Sequence, residues 1–500
     1  METARMPAPF LDRLRSMVAE GATRPALVYR ERTYTYRELD LKARSGAVRL
    51  QQLSVDKGDR VALCTPEKLP FLIAHLATLY AGGVSLPLNP RLTREEMRYF
   101  LADSGARVAL VGDAERGFVQ ELAAELPELR SVLADAAVCE APGGRLAEPG
   151  ITAEDPCRIV YSSGTTGWPK GVVHTQASLA AGLGALQACW RITPDDQVVN
   201  ALPLFHVHGL CFATHLSLVS GACVRIEDRF DPVRILETMQ HGTVFMAVPA
   251  MYYRLLEQPG FRDAARSWSR ARLFTCGSAP IRPEVLPELE RILGRPVINR
   301  YGMTEALVIT SLPLDGPWPR GSVGLPLEGV EVAVVDDRGV PVATDQVGTV
   351  RLRGPNLFRA YWQKPEATRA AFASGWFDSG DLGSTDRAGF LTLAGRKDDL
   401  IITNGFNVYP QVVERVLNGC PGVRESAVVG LPDERRGEQV AAAVVRSDPA
   451  LDESRLRAYA AERLVDYQRP RVIVFVESLP RNALGKVLRR QLRAQLLGQV

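Results

Sequence analysis

The chain has 500 residues, of which 46% are hydrophobic, and a formal net charge of +3. This length exceeds the roughly 250–300 residues at which a single core stops growing, so we expect more than one domain. The small net charge argues against nucleic acid as a partner, and the lack of any apolar run of about 18 residues argues against a membrane segment.

The N-terminal residues lack the apolar core of a signal peptide. Eight cysteines occur without paired or even spacing, which is typical of reduced thiols in a protein core. The sequence therefore predicts a cytoplasmic protein.

The first part of the chain alternates helical and strand patterns. Thr35 and Glu38 form a predicted capping box, which would begin a helix. Three short apolar stretches predict buried strands, at residues 59–64, 82–88 and 107–111. Strands that alternate with helices predict βαβ units and a parallel sheet.

Residues 161–171 concentrate groups that bind phosphate. Glycines let backbone N–H groups surround an anion, hydroxyls donate further hydrogen bonds, and a lysine adds charge. The segment is not a Walker loop, because Pro169 precedes the lysine and Gly171 follows it where a hydroxyl is required. Apolar runs on both sides predict a loop between two strands. The candidate phosphate ligands are Ser162, Ser163, Gly164, Thr165, Thr166, Gly167 and Lys170.

Three histidines, His206, His208 and His215, follow this loop. No carboxylate or cysteine completes a zinc set around them, so we reject a metal site and interpret His208 and His215 as core or turn residues. Further along, a predicted helix carries Arg254 among apolar neighbours. A surface arginine whose stem covers apolar groups would also fit that position.

Two motifs in the middle of the chain suit a nucleotide. A predicted strand ends in the turn Gly277-Ser278-Ala279-Pro280, whose small residues allow a flat ring to approach the backbone. The segment Asn299-Arg300-Tyr301-Gly302-Met303-Thr304-Glu305 follows. There Tyr301 offers a stacking face, Thr304 a hydroxyl for phosphate, and Glu305 a hard oxygen ligand for Mg²⁺.

The rest of the chain changes character. Residues 321–360 alternate with period two between turn residues and predict antiparallel hairpins. Asp381 follows glycine turns, where a carboxylate can accept hydrogen bonds from both ribose hydroxyls. The last hundred residues predict a separate small α+β unit that ends in Pro-Arg-x-x-x-Gly-Lys, with Lys486 as its lysine. A lone lysine there would otherwise be a solvated tail charge.

These motifs, in this order, resemble those of the adenylate-forming superfamily, which includes acyl-CoA synthetases, peptide synthetase adenylation domains and firefly luciferase. The resemblance runs from about residue 25 to 495. It implies an α/β protein with a large N-terminal domain, residues 1–396, of doubly wound sheets plus a β-rich subdomain. Residues 397–500 would form a small mobile α+β domain that carries the catalytic lysine.

The resemblance also implies the ligands ATP, Mg²⁺ and coenzyme A, and a role for each motif. Lys486, Thr304 and Glu305 would be catalytic, with Glu305 also holding the metal. Asp398 would be the pivot about which the C-terminal domain rotates between two half-reactions. The nucleotide and CoA positions would be Ser278, Ala279, Pro280, Asn299, Arg300, Tyr301, Asp381, Arg396 and Gly405.

Within the family the chain looks most like malonyl-CoA synthetases, on residues 205–210, 248–254 and 276–280, and on Thr310-Ser311. The acyl site would then include His206, Arg254 and Ser278. A second carboxylate in a closed pocket requires a cation, and Arg254 is the candidate; breaking such a buried pair costs about 3–5 kcal/mol.

Several alternatives stay open. The acid could be methylmalonate, or a medium-chain or aryl acid with Arg254 only structural. The enzyme could load a carrier protein instead of CoA, and a nucleotide-binding module without catalysis is a third class. The expected partners are a small carboxylic acid and CoA, with no nucleic acid and no membrane. A lysine acetyltransferase acting on Lys486 is a further possible partner, because acetylation removes the charge.

Overall fold

The computed structural model describes residues 9–141, 143–162, 168–481 and 486–498. It has the expected α/β architecture. The strands, in chain order, are β1 (Pro25–Tyr29), β2 (Arg32–Thr35), β3 (Arg60–Cys64), β4 (Val84–Pro87), β5 (Val108–Val111), β6 (Ser131–Ala134), β7 (Pro156–Ser162), β8 (Lys170–Thr175), β9 (Gln197–Asn200), β10 (Cys223–Ile226), β11 (Val244–Ala247), β12 (Leu273–Cys276), β13 (Val297–Met303), β14 (Leu307–Ser311), β15 (Leu325–Pro326), β16 (Glu331–Val335), β17 (Gly348–Arg353), β18 (Ala360–Tyr361), β19 (Phe372–Ala373), β20 (Trp376–Thr385), β21 (Leu391–Arg396), β22 (Ile401–Thr403), β23 (Phe406–Val408), β24 (Val423–Asp433), β25 (Gly437–Arg446) and β26 (Val472–Phe475).

The α-helices are α1 (Phe10–Glu20), α2 (Tyr36–Gln52), α3 (Lys68–Tyr80), α4 (Arg94–Ser104), α5 (Asp113–Ala123), α6 (Ala136–Cys139), α7 (Gln176–Trp190), α8 (Leu216–Val219), α9 (Pro232–Thr238), α10 (Pro249–Glu257), α11 (Phe261–Ser267), α12 (Leu286–Leu293), α13 (Pro365–Ala371), α14 (Pro410–Asn418), α15 (Glu453–Ala461) and α16 (Arg489–Leu497). A π-helical segment spans His208–His215, and 3₁₀ turns lie at Pro283–Val285, Lys397–Asp399 and Asp466–Gln468. None of the helices in the described ranges has the length and apolar character needed to cross a membrane.

Two large sheets with parallel centres form most of the molecule. One has nine strands in the order β15-β14-β13-β12-β11-β9-β10-β1-β2, and the other has seven in the order β18-β8-β7-β4-β3-β5-β6. Antiparallel pairs occur towards the ends, and one of them is β7–β8, which flanks the candidate phosphate loop as expected. Residues 163–167 of that loop lie outside the described residues.

Apolar side chains cover the seven-stranded sheet on both faces, as a doubly wound arrangement requires. One face of this sheet packs in a core that it shares with the nine-stranded sheet. Leu72 of α3 and Phe245 of β11 belong to that shared core. On the other face Leu101 of α4 and Leu122 of α5 pack with Val111 of β5. The β-rich part is an antiparallel sheet of β16, β17, β20, β19 and β21.

The C-terminal residues have cores of their own. Their sheet runs β23-β22-β25-β24, with β26 parallel to β25, and both of its apolar clusters consist only of residues beyond position 400. The hairpin β22–β23 turns through Asn404 and Gly405, which both have left-handed backbone conformations, at φ 51° and 79°. An Asn-Gly turn of this kind matches the right-handed twist of the strands.

The predicted capping box is confirmed at the start of α2. The Glu38 N–H donates to Thr35 Oγ1 at 3.2 Å, and the Thr35 N–H donates to Glu38 Oε2 at 2.8 Å. Thr93 and Glu96 form a second capping box at the start of α4, which the sequence interpretation did not include.

Candidate active site

A cavity of about 1650 Å³ lies beyond the carboxyl ends of β7, β12 and β13 and extends to the C-terminal unit. Ligand sites in open α/β sheets commonly occur at this edge. The cavity collects the predicted site residues Ser162, Lys170, His206, Arg254, Ser278, Ala279, Pro280, Asn299, Arg300, Tyr301, Thr304, Glu305, Asp381, Arg396, Asp398 and Lys486. Gly405 is not among its lining residues, and Ser163, Gly164, Thr165, Thr166 and Gly167 fall outside the described residues.

Glu305 occupies the tip of the β13–β14 hairpin at one end of the cavity. Its Oε1 accepts hydrogen bonds from the Ser162 hydroxyl at 3.0 Å and the Tyr361 hydroxyl at 3.3 Å. The Lys170 ammonium lies 5.0 Å from the centre of the Tyr361 ring. A carboxylate beside hydroxyls and a lysine fits Mg²⁺ with phosphate oxygens, because Mg²⁺ prefers hard oxygen ligands. Glu305 is the residue here that would hold the ion.

A buried histidine supports this hairpin, and sequence reasoning missed it. His174 Nε2 donates to the backbone carbonyl of Thr304 at 2.7 Å, and its Nδ1 lies 3.0 Å from the Ser178 hydroxyl. Burial lowers the pKa of His174 to about 3, so the ring is neutral. His174 thus holds the backbone of the Thr304-Glu305 motif in place. Its position near the end of β8 in the sequence did not indicate this contact with a residue 130 positions away.

Tyr301, Asp381 and Arg396 form a connected group at the nucleotide end. The Tyr301 hydroxyl donates to Asp381, and Arg396 Nε lies 3.3 Å from the other carboxylate oxygen. Arg396 also donates to the Ser379 carbonyl at 2.9 Å. Burial raises the pKa of Asp381, and the Arg396 charge opposes that rise. The group holds a carboxylate at the cavity wall beside an aromatic ring.

Lys486 lies at this same end. The residue as a whole is exposed, but the loss of water around its ammonium lowers its pKa, as does the Arg396 charge, while Asp381 and Asp399 act in the opposite direction. In this structure the C-terminal residues are therefore oriented so that Lys486, the predicted catalytic lysine, faces the predicted nucleotide site. Gly405 does not face it.

The sequence did not indicate the ion pairs within the C-terminal residues or those between them and the rest of the chain. Arg489, at the start of α16, lies 3.2 Å from Asp399 and 2.6 Å from Glu414. Between the two parts of the chain, Arg424 pairs with Glu257 at 3.1 Å, and its carbonyl accepts from Arg282 at 2.6 Å. All of these residues are distant in sequence from their partners.

Ser278, His208 and Arg300 form another contacting group in the cavity wall. Ser278 has a left-handed backbone at φ 70°, a strained conformation for a residue with a side chain. Its hydroxyl lies 3.2 Å from His208 Nδ1 and accepts a hydrogen bond from Arg300 Nη2 at 3.3 Å. His208 is therefore buried, as predicted for a core or turn histidine, and it also lines the cavity, which was not predicted. His215 is buried and contacts His75 at 2.9 Å, as a core histidine does.

Arg254, the candidate cation for a second carboxylate, has the exposure expected of the alternative, a surface arginine. The residue lines the cavity, but its side chain is exposed and its guanidinium lies 4.9 Å from the centre of the Phe230 ring. In the nine-residue helix α10, Met251, Tyr252 and Leu255 take the buried face. An exposed charge is screened by water, so its pairing is worth about 0–1 kcal/mol and not the value of a buried pair.

Comparisons with known proteins show which family this chain is similar to. The sequence profile of the AMP-binding enzyme family matches residues 14–362, and that of the AMP-binding enzyme C-terminal domain matches residues 412–486. The chain is 37% identical over 482 residues to 2-succinylbenzoate–CoA ligase of Geobacillus kaustophilus, covering 92% of this chain and 93% of that protein. It is 34% identical over 471 residues to a long-chain-fatty-acid–CoA ligase of Mycobacterium tuberculosis, with coverage of 92% and 93%.

Among solved structures, ATP-bound MatB from Rhodopseudomonas palustris is 35% identical, with a TM-score of 0.93 over 98% of this chain and 99% of that one. The apo form of the same protein gives a TM-score of 0.83. The structure of this chain as a whole is thus more similar to the ATP-bound form than to the apo form.

Proposed function

The chain belongs to the AMP-binding enzyme family and is an acyl-CoA ligase, and we propose that its acid substrate is malonate or methylmalonate. The products would be the acyl-CoA, AMP and pyrophosphate. The observation that carries the choice of a dicarboxylate is that two arginines, Arg254 and Arg300, line the cavity together with the predicted acyl-site residues His206 and Ser278.

In the first half-reaction, a substrate carboxylate attacks the α-phosphorus of ATP, and pyrophosphate leaves. Such a transfer asks the protein mainly to position charges and neutralise them. Ser162 and Lys170, with the loop between them, would hold the β- and γ-phosphates. Asp381 would accept the ribose hydroxyls, and Lys486 would neutralise the oxygens at the reacting centre. When bound at Glu305, Mg²⁺ supplies further charge neutralisation on the phosphates.

In the second half-reaction, the CoA thiol attacks the carbonyl carbon of the acyl-adenylate, and AMP leaves. We propose that residues 397–500 then rotate about Asp398, so that Lys486 withdraws and the Gly405 turn reaches the thiol path. Asp398 is exposed in the 3₁₀ turn between β21 and β22, where a change of backbone dihedrals disturbs no core.

A medium-chain or aryl acid is the second candidate. Phe205, Val207 and Phe212 line the same cavity, and one relative is a long-chain-fatty-acid–CoA ligase. Apolar walls favour a neutral chain, whereas the two arginines favour a second negative charge. Both kinds of group line the cavity, so the two candidates make opposite predictions for the assay that follows.

The test is AMP release with malonate, methylmalonate, acetate, octanoate and 4-coumarate, each with and without CoA. We expect malonate or methylmalonate to give the highest kcat/KM, and CoA to be required for turnover. Preference for octanoate or 4-coumarate would replace the proposal with the second candidate. Rapid acid-dependent pyrophosphate exchange without CoA-dependent turnover would indicate a carrier protein as the acceptor.

A further inference from the structure

Helix α4 contacts the chain on both sides of the candidate phosphate loop. Tyr99 and Asp103 lie four residues apart in this helix and therefore on the same face of it. Tyr161 lies at the end of β7, and Pro169 immediately precedes β8. Each of the two α4 side chains forms a hydrogen bond with one of these two positions. One helix face thus contacts both ends of the loop.

Tyr99 holds the end of the loop that leads into β8. Its hydroxyl donates to the Pro169 carbonyl at 2.9 Å. Its ring stacks on the Trp168 indole, with 4.5 Å between the ring centres and 23° between the ring planes. A stacked ring and a hydrogen bond therefore restrain the two residues directly before Lys170.

Asp103 holds the other end of the loop. The Tyr161 hydroxyl donates to Asp103 Oδ2 at 2.6 Å, and burial raises the pKa of Tyr161, so the phenol keeps its proton. Lys364 lies 3.4 Å from the other carboxylate oxygen, and the Asp103 carbonyl accepts from Trp362 Nε1 at 3.1 Å. The Trp362 N–H in turn donates to the Gly171 carbonyl of β8 at 2.7 Å. Asp103 therefore links the end of β7 to the segment that borders β8.

Fixed ends matter for a loop of this composition. Ser162 and Lys170 are paired across β7 and β8, so the segment between them begins and ends at neighbouring positions. That segment contains Gly164 and Gly167, and glycine loses more conformational freedom on ordering than other residues do. A loop whose ends are held before ATP arrives loses less entropy when it binds the phosphates.

We infer that Tyr99 and Asp103 are positioning residues for ATP, because they hold the two ends of the phosphate loop from one helix. Neither side chain occurs among the described residues that line the cavity, so both act through the loop ends. The inference is independent of the acid and rests on the part of the proposed function that assigns Ser162 and Lys170 to the phosphates. It applies to ATP and not to AMP, because AMP lacks the β- and γ-phosphates.

The test measures the dissociation constants of ATP and AMP by calorimetric titration without any acid, so the identity of the acid does not enter. Tyr99→Phe removes only the hydroxyl, Tyr99→Ala removes the ring as well, and Asp103→Ala removes the carboxylate. Lys170→Ala reports on a residue that is assigned to the phosphates directly. Tyr459→Phe is the matched control, because Tyr459 also donates its hydroxyl to a carbonyl, that of Gly419 at 2.8 Å, in the C-terminal residues.

We expect the ratio of the ATP Kd to the AMP Kd to rise about threefold to tenfold in Tyr99→Phe, which is the effect of one hydrogen bond. The ratio should rise about tenfold to a hundredfold in Tyr99→Ala and in Asp103→Ala, which lose more contacts. The AMP Kd should stay that of the wild type in these variants, because the adenosine contacts are unchanged. Tyr459→Phe should leave both constants unchanged.

The outcomes separate the inference from the proposed function. The wild-type ratio in Lys170→Ala would refute the assignment of Lys170 to the phosphates, and the inference with it. A raised ratio in Lys170→Ala, with the wild-type ratio in the Tyr99 and Asp103 variants, would overturn the inference alone. Equal weakening of ATP and AMP in those variants would also overturn it, because α4 would then only support the fold. If Tyr99→Ala or Asp103→Ala fails to fold, the ratio in Tyr99→Phe decides.

Discussion

Replacing Lys486 by alanine should separate the two half-reactions. Lys486 lies in the cavity with Asp381 and Arg396, and Gly405 lies outside it, so the structure has the geometry expected for adenylate formation. The variant removes the ammonium from the reacting centre in that orientation. After the proposed rotation the lysine is elsewhere, and its loss should not matter.

The size of the rate loss in Lys486→Ala depends on the positive charges that remain in the cavity. Removing one preorganised donor from developing charge costs about 2.7–4 kcal/mol, or roughly a hundredfold to a thousandfold in rate. Arg396 and Lys170 remain in the cavity and keep part of the positive potential. We therefore expect a loss in this range for adenylate formation and less than about threefold for CoA transfer.

Two assays make the comparison. ATP–pyrophosphate exchange with malonate measures the first half-reaction, and CoA-thioester formation from a supplied acyl-adenylate measures the second. Arg490→Ala, an exposed cation of α16, controls for the loss of one positive charge near the lysine. Equal losses in both half-reactions for Lys486→Ala would refute the proposal that Lys486 acts only in adenylate formation. Acetylation of Lys486 removes the same charge and should reproduce the alanine result.

Three further results are expected. Asp398→Pro fixes φ and removes an N–H, so one half-reaction should survive better than the other in separate assays, and normal rates in both would exclude Asp398 as the pivot. Glu305→Gln should raise the Mg²⁺ concentration needed for half-maximal exchange, and an unchanged requirement would exclude Glu305 as its ligand. Arg272 forms a bidentate pair with buried Asp196 and depresses the carboxyl pKa, so Asp196→Asn should lose about 3–5 kcal/mol of unfolding free energy. That difference should be present in urea titrations at pH 7 and shrink as pH falls below about 4, through the folded pKa of Asp196; a pH-independent difference would contradict the pairing.

Local sequence patterns predicted the elements that depend on neighbouring residues. The capping box of Thr35 and Glu38, the strand pair around the phosphate loop and the antiparallel β-rich part all follow from short-range periodicity and turn chemistry. The family motifs then identified residues that lie together in the wall of one cavity. Each of these features depends on residues that are close in sequence, so it can be predicted without knowledge of the tertiary structure.

Contacts between distant segments could not be predicted in this way. The pairs of Arg489 with Asp399 and Glu414 join positions that no periodicity relates. The π-helical segment at His208–His215 is another case, since nothing in its composition distinguishes it from an α-helix, and π-helical turns occur often at functional sites. The exposure of Arg254 is a further case. Ala250 and Met251 lie four and three positions earlier in α10 and are apolar, yet Arg254 is exposed, so its neighbours in sequence did not decide its burial.

Two groups of cations in the cavity differ in how their charges are balanced, and this difference suits the proposed rotation of residues 397–500. At the nucleotide end, Arg396 pairs with Asp381, and the charge of Lys486 is stabilised by Asp381 and Asp399. A cation that already has a protein anion nearby keeps that partner when the ligand leaves. Residues 397–500 could therefore approach and withdraw without leaving these cations unpaired. Arg300 has no such anion among the described residues and lies against Gly277 and the Phe212 ring. A substrate carboxylate that compensates it should therefore stay bound while residues 397–500 rotate, and the acid would keep its position between the two half-reactions.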